Sequence, residues 1–488
     1  MKKFDLIIDK KSSLPVYRQI YECIKDKIDR AELVENQKLP SIRQLSIKLK
    51  INNLTILKAY NLLESENYIY KKQGTGAFVK KKEMLLYFTP PKELMESFQY
   101  HEAESPSSEY KKYHMFIDFV SGSPSKEILP YDEFKELTKV VFEKNGAEMF
   151  GYHDTQGYKR LRCFLSRKLE KQGISVPDKN IQITSGSQQG IDILIRTLVS
   201  KRNNKIITGN PTYHGALNNF KKECKVFGVS VEKDGFDMKE LENILSTENI
   251  NFIYTMINYQ SPTGICWSNE KKKQLIELAE KYNTYIIEDD CLSEIYFGDK
   301  QKSTLKSLDK DNTRVIYIKS FSKVIMPGLR MGYMIVPDEF IDQVVTAKFT
   351  SDISSSGFEQ RMLFEFLKDD YIADHFKKLR MIYKSRYEFT LDQINKSKYL
   401  DLVYPIQGGV HCWVRLPDKI NSNIFFVRCR SKGVSILPGT VFFFEQMGHE
   451  YFRLSFASVN KEEIKNGIDT MNKVIEEMLY YNQSKENL

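Results

Sequence analysis

Apolar residues near the start of the chain recur at the spacing of helix faces. The first such face follows Pro15, which suits a first helical turn, and consists of Val16, Ile20, Ile24 and Ile28. LPSIRQLSIKL and INNLTILKAYNLLESENY predict two more helices, and YIYKKQGTGAFVK predicts two strands around a glycine-containing turn. Three helices and a hairpin predict a winged helix-turn-helix within residues 1–80.

Polar residues mark the starts of the second and third helices. Ser41 is placed to cap the second helix, and Asn52 or Asn53 to cap the third. The faces expected to be buried consist of Ile42, Leu45 and Leu49 in the second helix and Ile56, Tyr60 and Leu63 in the third.

The pattern changes after the predicted hairpin. Residues 81–114 contain Pro90-Pro91 and Pro106 and predict a linker, with one short helix near 92–98. From about residue 115, strand-like runs alternate with amphipathic segments such as KKKQLIELAEKYN; these runs are IQIT, KIITG, NFIYTMI, YIIEDD and VIYIKS. Such alternation predicts an α/β fold with a parallel sheet covered by helices.

Charge is distributed unevenly between these regions. Residues 1–82 carry a net charge of +9, which equals that of all 488 residues, so the remainder is neutral. This favours a polyanionic partner for the basic head alone, although a merely lysine-rich surface would give the same count. The seven scattered cysteines form no C-x-x-C pair, which argues against zinc or disulfides. No membrane span or secretory peptide is expected, so we predict a cytoplasmic protein.

A helix-turn-helix presents the start of its second helix to the DNA bases. Here Asn52, Asn53 and Thr55 take that position, with Lys58 one turn later. Asparagine reads adenine bidentately, and Arg43 is placed for a phosphate. The wing offers Lys71 and Lys72. These residues predict binding to a double-stranded DNA operator, the alternative being a winged helix used only for protein contacts.

The head resembles the GntR family of bacterial regulators from residue 14 to 79. The resemblance rests on LPVYRQIYECIKDKI, KLPSIRQLSIKL, T-I-L-K-A-Y, L-L-E-S-E-N-Y and G-T-G-A-F-V. The family usually has Gly near Ala31 and Asn36, and Ser-Arg where this chain has Asn52-Asn53. The loss of that arginine bears on operator preference rather than on the fold.

The second region contains the residue types that a pyridoxal phosphate (PLP) site requires. Such a site needs a lysine for a Schiff base, donors for a phosphate, a carboxylate for the pyridine nitrogen and a ring that stacks. In YIKSFSKVIMPGLRMGY, Lys323 is the candidate amine, and Arg330 with Ser320 and Ser322 would meet the phosphate. A lone lysine is usually a surface residue, but S-F-S-K followed by P-G-L-R-x-G is a far rarer string.

The other candidates are individually weaker. IIEDDC places Asp289 and Asp290 at a strand end, where a carboxylate would hold the pyridinium proton or simply be solvated. TSGSQQG opens a helix at Ser187, whose free backbone N–H groups suit a phosphate. Tyr213 follows a strand and would stack, and Arg453 would clamp a ligand carboxylate.

The order of these pieces resembles fold-type-I aminotransferases over residues 115–480, with Gly408-Gly409-Val410-His411 at the late strand. The resemblance implies a large PLP-dependent transferase domain with a small α+β subdomain at about 345–480. It also implies a phosphate site made of Ser187, Gln188, Ser320, Ser322 and Arg330. By the same resemblance Tyr213 stacks, Asp289 pairs with the pyridine nitrogen, Lys323 forms the aldimine and Arg453 binds a carboxylate.

A GntR head on an aminotransferase body resembles the MocR subfamily, and YQSPTG resembles its H-Q-x-P-[ST]-G. Tyr259 replaces the histidine of that motif, while Gln260 is kept. Ser261 stands where aminotransferases place an Asn, and Cys291 where the subfamily places a Tyr. Both usual partners of the PLP ring oxygen are therefore expected to be missing, which weakens turnover more than cofactor binding.

Two functions compete. One is a regulator that senses PLP or a small amino compound through its body and moves its DNA heads. The other is a working aminotransferase that carries a DNA-binding head. The basic head and the missing ring-oxygen partners favour the regulator. The subfamily resemblance also implies a domain-swapped homodimer, whereas operator, effector, controlled genes and direction of regulation do not follow from the sequence.

Overall fold

A computed structural model shows two compact units, Met1–Thr89 and Pro90–Leu488. The structure describes residues 15–29, 33, 37–65, 68–72, 75–79, 117–198, 204–369, 371–445 and 447–486. The predicted linker at 81–114, its short helix and the N-terminal segment before Pro15 lie outside these residues.

The first unit, the head, contains three helices and a two-stranded hairpin. Its elements are α1 (Val16–Asp29), α2 (Ile42–Leu49), α3 (Asn53–Ser65), β1 (Ile69–Lys72) and β2 (Gly76–Val79). β1 and β2 pair antiparallel, with Ile69 opposite Val79. The predicted winged helix-turn-helix is confirmed.

Capping and burial explain the helices of the head. Ser41 and Gln44 form a reciprocal capping box at α2, and Asn52 Oδ1 accepts the Leu54 N–H at the start of α3 (2.9 Å). Asn52 therefore caps α3. The face of α3 that the sequence predicted to be buried is fully buried. In α2 only Leu45 is fully buried, because Ile42 and Leu49 lie at the edge of the core.

The second unit, the body, is built around an eight-stranded sheet of order β4-β11-β10-β9-β8-β5-β6-β7. The strands are β4 (Ile181–Thr184), β5 (Lys205–Asn210), β6 (Lys225–Glu232), β7 (Gly235–Phe236), β8 (Phe252–Thr255), β9 (Tyr285–Asp290), β10 (Val315–Ser320) and β11 (Gly332–Ile335). The five runs predicted as strands are confirmed. The sheet is parallel except that β11 runs against its neighbours and β7 against β6.

Successive strand residues face opposite sides of this sheet, so its two faces bury separate cores. Ile206, Ile287 and Ile316 belong to one core cluster, and their neighbours Ile207, Ile286 and Val315 to another. The first helices of the body are α4 (Tyr131–Asn145), α5 (Lys159–Glu170), α6 (Ser187–Leu198), α7 (His214–Glu223), α8 (Met238–Thr247) and α9 (Asn269–Lys281).

The C-terminal part of the body contains a smaller antiparallel sheet. Its strands, in the order β12-β13-β16-β15, are β12 (Asp401–Leu402), β13 (His411–Arg415), β15 (Leu437–Pro438) and β16 (Tyr451–Ser455). The helices of this region are α10 (Ile341–Asp352), α11 (Gly357–Lys368), α12 (Tyr371–Lys396), α13 (Ser422–Ser431) and α14 (Lys461–Glu486). A short parallel pair joins β3 (Ile117–Asp118) to β14 (Val434–Ser435).

Within the described ranges, no helix is both long and apolar enough to cross a lipid bilayer.

Candidate functional site

A cavity of about 1220 Å³ opens at the carboxyl ends of the parallel strands of the body. This edge is where open α/β sheets place their ligands, because loops that follow several strands converge there. All of the predicted cofactor-binding residues line it, namely Ser187, Gln188, Tyr213, Asp289, Ser320, Ser322, Lys323 and Arg330. The fold thus brings together residues that are up to 143 positions apart in the sequence.

One corner of the cavity is rich in hydrogen-bond donors. Ser187 begins α6 after Gly186, whose φ of +100° suits glycine. Arg330 lies beside this turn and donates from Nη2 to the Ser185 carbonyl (2.7 Å). Helix N–H groups and a guanidinium at one point make an anion site suited to a phosphate.

Asp289 is a buried carboxylate at the end of β9, with 3% of its surface exposed. Its Oδ2 accepts a hydrogen bond from the Tyr254 hydroxyl (2.8 Å), whereas Oδ1 accepts none from the described residues. Burial raises the pKa of Asp289 to about 7, despite the Tyr254 hydrogen bond, which lowers it. A buried oxygen of this kind, at the wall of a cavity, fits a protonated ring nitrogen.

Tyr254, which donates to Asp289, was not among the residues that the sequence predicted for the site. It lies on β8 opposite Ile287 of β9, so Asp289, two positions further along β9, faces the same side of the sheet. The alternation of residues along NFIYTMI and YIIEDD predicts which side chains of each strand share a face. To pair Tyr254 with Asp289 from it, one must also know that the two strands are neighbours in the sheet.

Asp290, the second carboxylate of the pair, serves a different purpose. It accepts a hydrogen bond from Tyr317 (2.6 Å) and lies 3.3 Å from Lys319 Nζ, which also donates to Glu294 (2.6 Å). Burial raises the pKa of Asp290, but the ammonium of Lys319 and the hydrogen bonds from Ser293 and Tyr317 together outweigh burial, so the pKa falls below its usual value. Asp290 is therefore part of a buried ion-pair cluster, and Asp289 alone lines the cavity.

Arg453 lies on β16 and is completely buried. Its guanidinium donates to Ser261 Oγ (3.2 Å) and to the Val120 carbonyl (2.7 Å), and lies over the ring of Phe442. Ser261 lines the cavity, so the guanidinium of Arg453 lies directly behind this serine. The binding of a ligand carboxylate by Arg453 stays a prediction.

The residues at the positions of the usual ring-oxygen partners also lie at the cavity. Ser261 and Cys291 both line it, and burial raises the pKa of the Cys291 thiol. Tyr259, by contrast, is buried and packs its ring on the backbone of Gly408 and Gly409. Gln260 donates to the Pro211 carbonyl (3.0 Å) in the loop before Tyr213.

The predicted DNA-contacting residues form a second candidate site, on the head. Arg43, Asn52, Asn53 and Lys72 are exposed at the start of α2, the start of α3 and the hairpin, and Thr55 is half-buried in the first turn of α3. Two lysines have partners within the head. Lys58 Nζ lies 4.3 Å from the centre of the Tyr17 ring, and Lys71 pairs with Glu64 (2.5 Å). Lys71 would have to leave Glu64 to meet a phosphate.

The raised pKa of Asp289 predicts a pH-dependent stability in the cofactor-free protein. A carboxyl that binds its proton more tightly when folded contributes stability at low pH and loses it as pH rises from about 4 to 7. Asp289→Asn removes this term. Relative to the variant, the wild type should lose up to about 4 kcal/mol of unfolding free energy across that window.

Urea unfolding of both cofactor-free proteins at several pH values measures this difference. The neighbouring Glu288, whose pKa is also raised to about 7 by burial, is present in both proteins and cancels. Parallel pH curves for the two proteins would contradict the assignment of Asp289.

Two known sequence families match adjacent parts of this chain. The profile of aminotransferase class I and II matches residues 117–471. The profile of bacterial regulatory proteins of the gntR family matches residues 16–79. The boundary between the two matches falls in the predicted linker.

Individual proteins align with one or both of these regions. The HTH-type transcriptional regulator YdfD of Bacillus subtilis is 27% identical over 487 residues, covering 96% of this chain and 98% of YdfD. The HTH-type transcriptional regulator NorG of Staphylococcus aureus (strain USA300) is 30% identical over 449 residues, covering 88% and 98%. Both alignments span the head and the body.

Among solved structures, the body is similar to LysN, an alpha-aminoadipate aminotransferase of Thermus thermophilus complexed with N-(5'-phosphopyridoxyl)-L-leucine. The TM-score is 0.71 at 26% identity, and the match covers 78% of this chain and 97% of LysN.

Proposed function

We propose that this chain, which belongs to the aminotransferase class I and II family and carries a gntR-type helix-turn-helix head, is a transcription regulator that binds PLP on Lys323. The fusion of a DNA-binding head to an aminotransferase-like body is the architecture of the MocR type, and a regulator function fits this architecture. The observation that carries the cofactor assignment is the buried Asp289, which lines the same cavity as Lys323 and whose Oδ1 has no described partner.

The residues of the cavity would hold the cofactor from several sides. The phosphate would be bound by Arg330, Ser187, Ser320 and Ser322. Tyr213 would stack on the ring, and Asp289, oriented by Tyr254, would hold the proton of the ring nitrogen. When bound, PLP supplies an electron sink for an attached amino compound. The cavity volume leaves room for such a compound beside the cofactor.

Sensing requires that the ligand bind two states of the protein unequally. The Val120 carbonyl and the Ser261 hydroxyl are bound to Arg453, so a ligand carboxylate that takes either place must displace an internal contact. The effector in this proposal is PLP itself or an amino compound. Acting on an operator in the cytoplasm, the regulator would report this exchange as a change in DNA affinity.

The body also offers a surface for a second copy. Phe142, Phe150 and Tyr152 are exposed, and the first two rings contact each other with centres 5.9 Å apart. Contiguous exposed aromatic side chains favour an interface, and a two-fold dimer is the commonest assembly. We propose a homodimer, and the exchange of heads that the subfamily resemblance implies stays a prediction.

Arg43→Ala tests the DNA contact of the head. Because each phosphate contact releases counterions, the slope of log affinity against log salt should flatten by about one. Lys139→Ala, on α4 of the body, removes the same charge from an exposed lysine and serves as the matched control. If Arg43→Ala leaves both affinity and slope unchanged, the proposed docking is wrong.

One observation favours a second function, a working aminotransferase. Lys323 and Asp289 line one cavity, the buried Arg453 donates to Ser261 of its wall, and the body matches aminotransferases in sequence and structure. If the protein is active, its reaction is therefore PLP-dependent transamination. The residues at the ring-oxygen positions argue against rapid turnover.

A further inference from the structure

The head carries large apolar side chains that its own core does not bury. In the part of the head that the structure describes, these are Ile47, Leu54 and Leu57, and all three belong to α2 or α3. Leu54, in the first turn of α3, has 70% of its surface exposed. Single exposed apolar residues are ordinary on protein surfaces, so the position of Leu54 has to decide what its exposure means.

Leu54 lies on the side of α3 that faces away from the core of the head. Each residue advances about 100° around a helix, so Ile56 and Leu63, two and nine positions after Leu54, both lie nearly opposite it. Ile56 and Leu63 are completely buried. Because α3 is the second helix of a helix-turn-helix, the outer side of its first turn is the part that enters the major groove of DNA.

The backbone that carries Leu54 is held in place by the cap of α3. Asn52 Oδ1 accepts the N–H of Leu54 (2.9 Å), and the Asn52 carbonyl accepts the N–H groups of Thr55 and Ile56 (3.0 and 3.4 Å). A contact that selects one base must be presented in the same place in every complex. The first turn of α3 meets this requirement.

The surroundings of Leu54 favour DNA over a partner protein as the occupant of this surface. Residues 1–82 carry a net charge of +9, and Arg43 is exposed at the start of α2. A helix face that binds an apolar groove of a protein continues with apolar residues at every third or fourth position. Here the exposed Lys58 and Asn61, four and seven positions after Leu54, continue the outer side of α3 with polar groups.

The chemistry of leucine then indicates which base it meets. A leucine side chain neither donates nor accepts hydrogen bonds, so against the nitrogen and oxygen atoms of a base edge it would displace water without replacing the lost bonds. In the major groove, thymine differs from the other three bases by an apolar group, the methyl on its C5 atom. An exposed leucine in this groove therefore favours thymine.

We propose that Leu54 determines part of the operator sequence by packing on the methyl group of one thymine in each half-site, an inference that rests on the proposed binding of DNA. The contact is apolar and involves no phosphate. It therefore contributes to the choice of bases and leaves the salt dependence of the affinity unchanged.

Exchange of thymine for uracil isolates this contact, because it removes the methyl and keeps every hydrogen-bonding atom of the base. The probe is a duplex that the full-length wild-type protein enriches from a random-sequence pool, with and without PLP. Each thymine of one half-site is replaced in turn, and affinity is measured by fluorescence anisotropy. One uracil should weaken wild-type binding by about fourfold, the effect of one buried methyl group. Leu54→Ala and Leu54→Asn should bind that uracil duplex and the thymine duplex equally well.

The controls separate a base contact from a phosphate contact and from a general loss of the fold. Ile47→Ala is the matched control, because Ile47 is also 70% exposed but lies on α2, and it should keep the fourfold preference for thymine. Leu54→Ala should keep the salt slope of the wild type, whereas Arg43→Ala should flatten it. Thermal unfolding of the Leu54 variants should match the wild type, since the side chain is exposed.

Three results would overturn the inference alone. They are wild-type binding that no uracil weakens, a thymine preference that persists in Leu54→Ala, and loss of that preference in Thr55→Ser but not in Leu54→Ala, which would assign the methyl to Thr55. If the wild type enriches no sequence from the pool, the proposed binding of an operator is wrong, and this inference is wrong with it.

Discussion

Substitution of Lys323 by alanine should abolish the covalent attachment of PLP. The wild type should be yellow, because a lysine imine of PLP absorbs visible light, and the variant should lose that band. This amine lines the same cavity as Arg330, Ser187 and Asp289. No weaker contact replaces a covalent bond, so the loss should be complete.

Borohydride reduction and peptide mapping give the decisive measurement. The pyridoxyl group should appear on Lys323 and not on Lys319, whose ammonium is buried between Glu294 and Asp290. Lys126→Ala is the matched control, because Lys126 also lines the cavity, and it should keep the band. A label on another lysine, or on none, would end this assignment.

Steady transamination by the wild type should stay far below about 10 per second, the median of enzymes. Hydrogen bonds to the PLP ring oxygen orient the ring and tune the pKa of the imine. Ser261, whose hydroxyl is engaged with Arg453, and Cys291, whose thiol is a weak donor, stand at the usual partner positions. Acid–base steps in such sites are typically worth ~10²–10⁴-fold.

A screen of common amino donors with 2-oxoglutarate and pyruvate measures this turnover. The double variant Ser261→Asn, Cys291→Tyr restores both usual partners and should raise the rate of any half-reaction. Single-turnover spectra of the two proteins with the same donor provide the comparison. Sustained wild-type turnover at ordinary enzyme rates with any pair would promote the aminotransferase function over the regulator.

Local pattern was sufficient to predict the elements of both units. The four-residue repeat in α1, the Ser41 cap and the strand runs of the body depend on residues close in sequence, so periodicity and capping rules reveal them directly. The antiparallel course of β11 was not predicted, because strand direction depends on a partner that periodicity does not name.

Sequence alone also determined which residue types the site needs. Lys323, Arg330 and Asp289 were identified from motif order, and a parallel sheet brings the ends of their strands to one edge.

Only the tertiary structure decided which of these groups meet. It separated Asp289, at the cavity, from Asp290, in an ion-pair cluster, because adjacent strand residues face opposite sides of the sheet. It also placed Tyr254 behind Asp289, 35 positions away in the sequence, and brought Lys323 and His411, which are 88 positions apart, next to Gly122. Such contacts arise from the packing order of strands and from the junction of the two sheets, which no local pattern encodes.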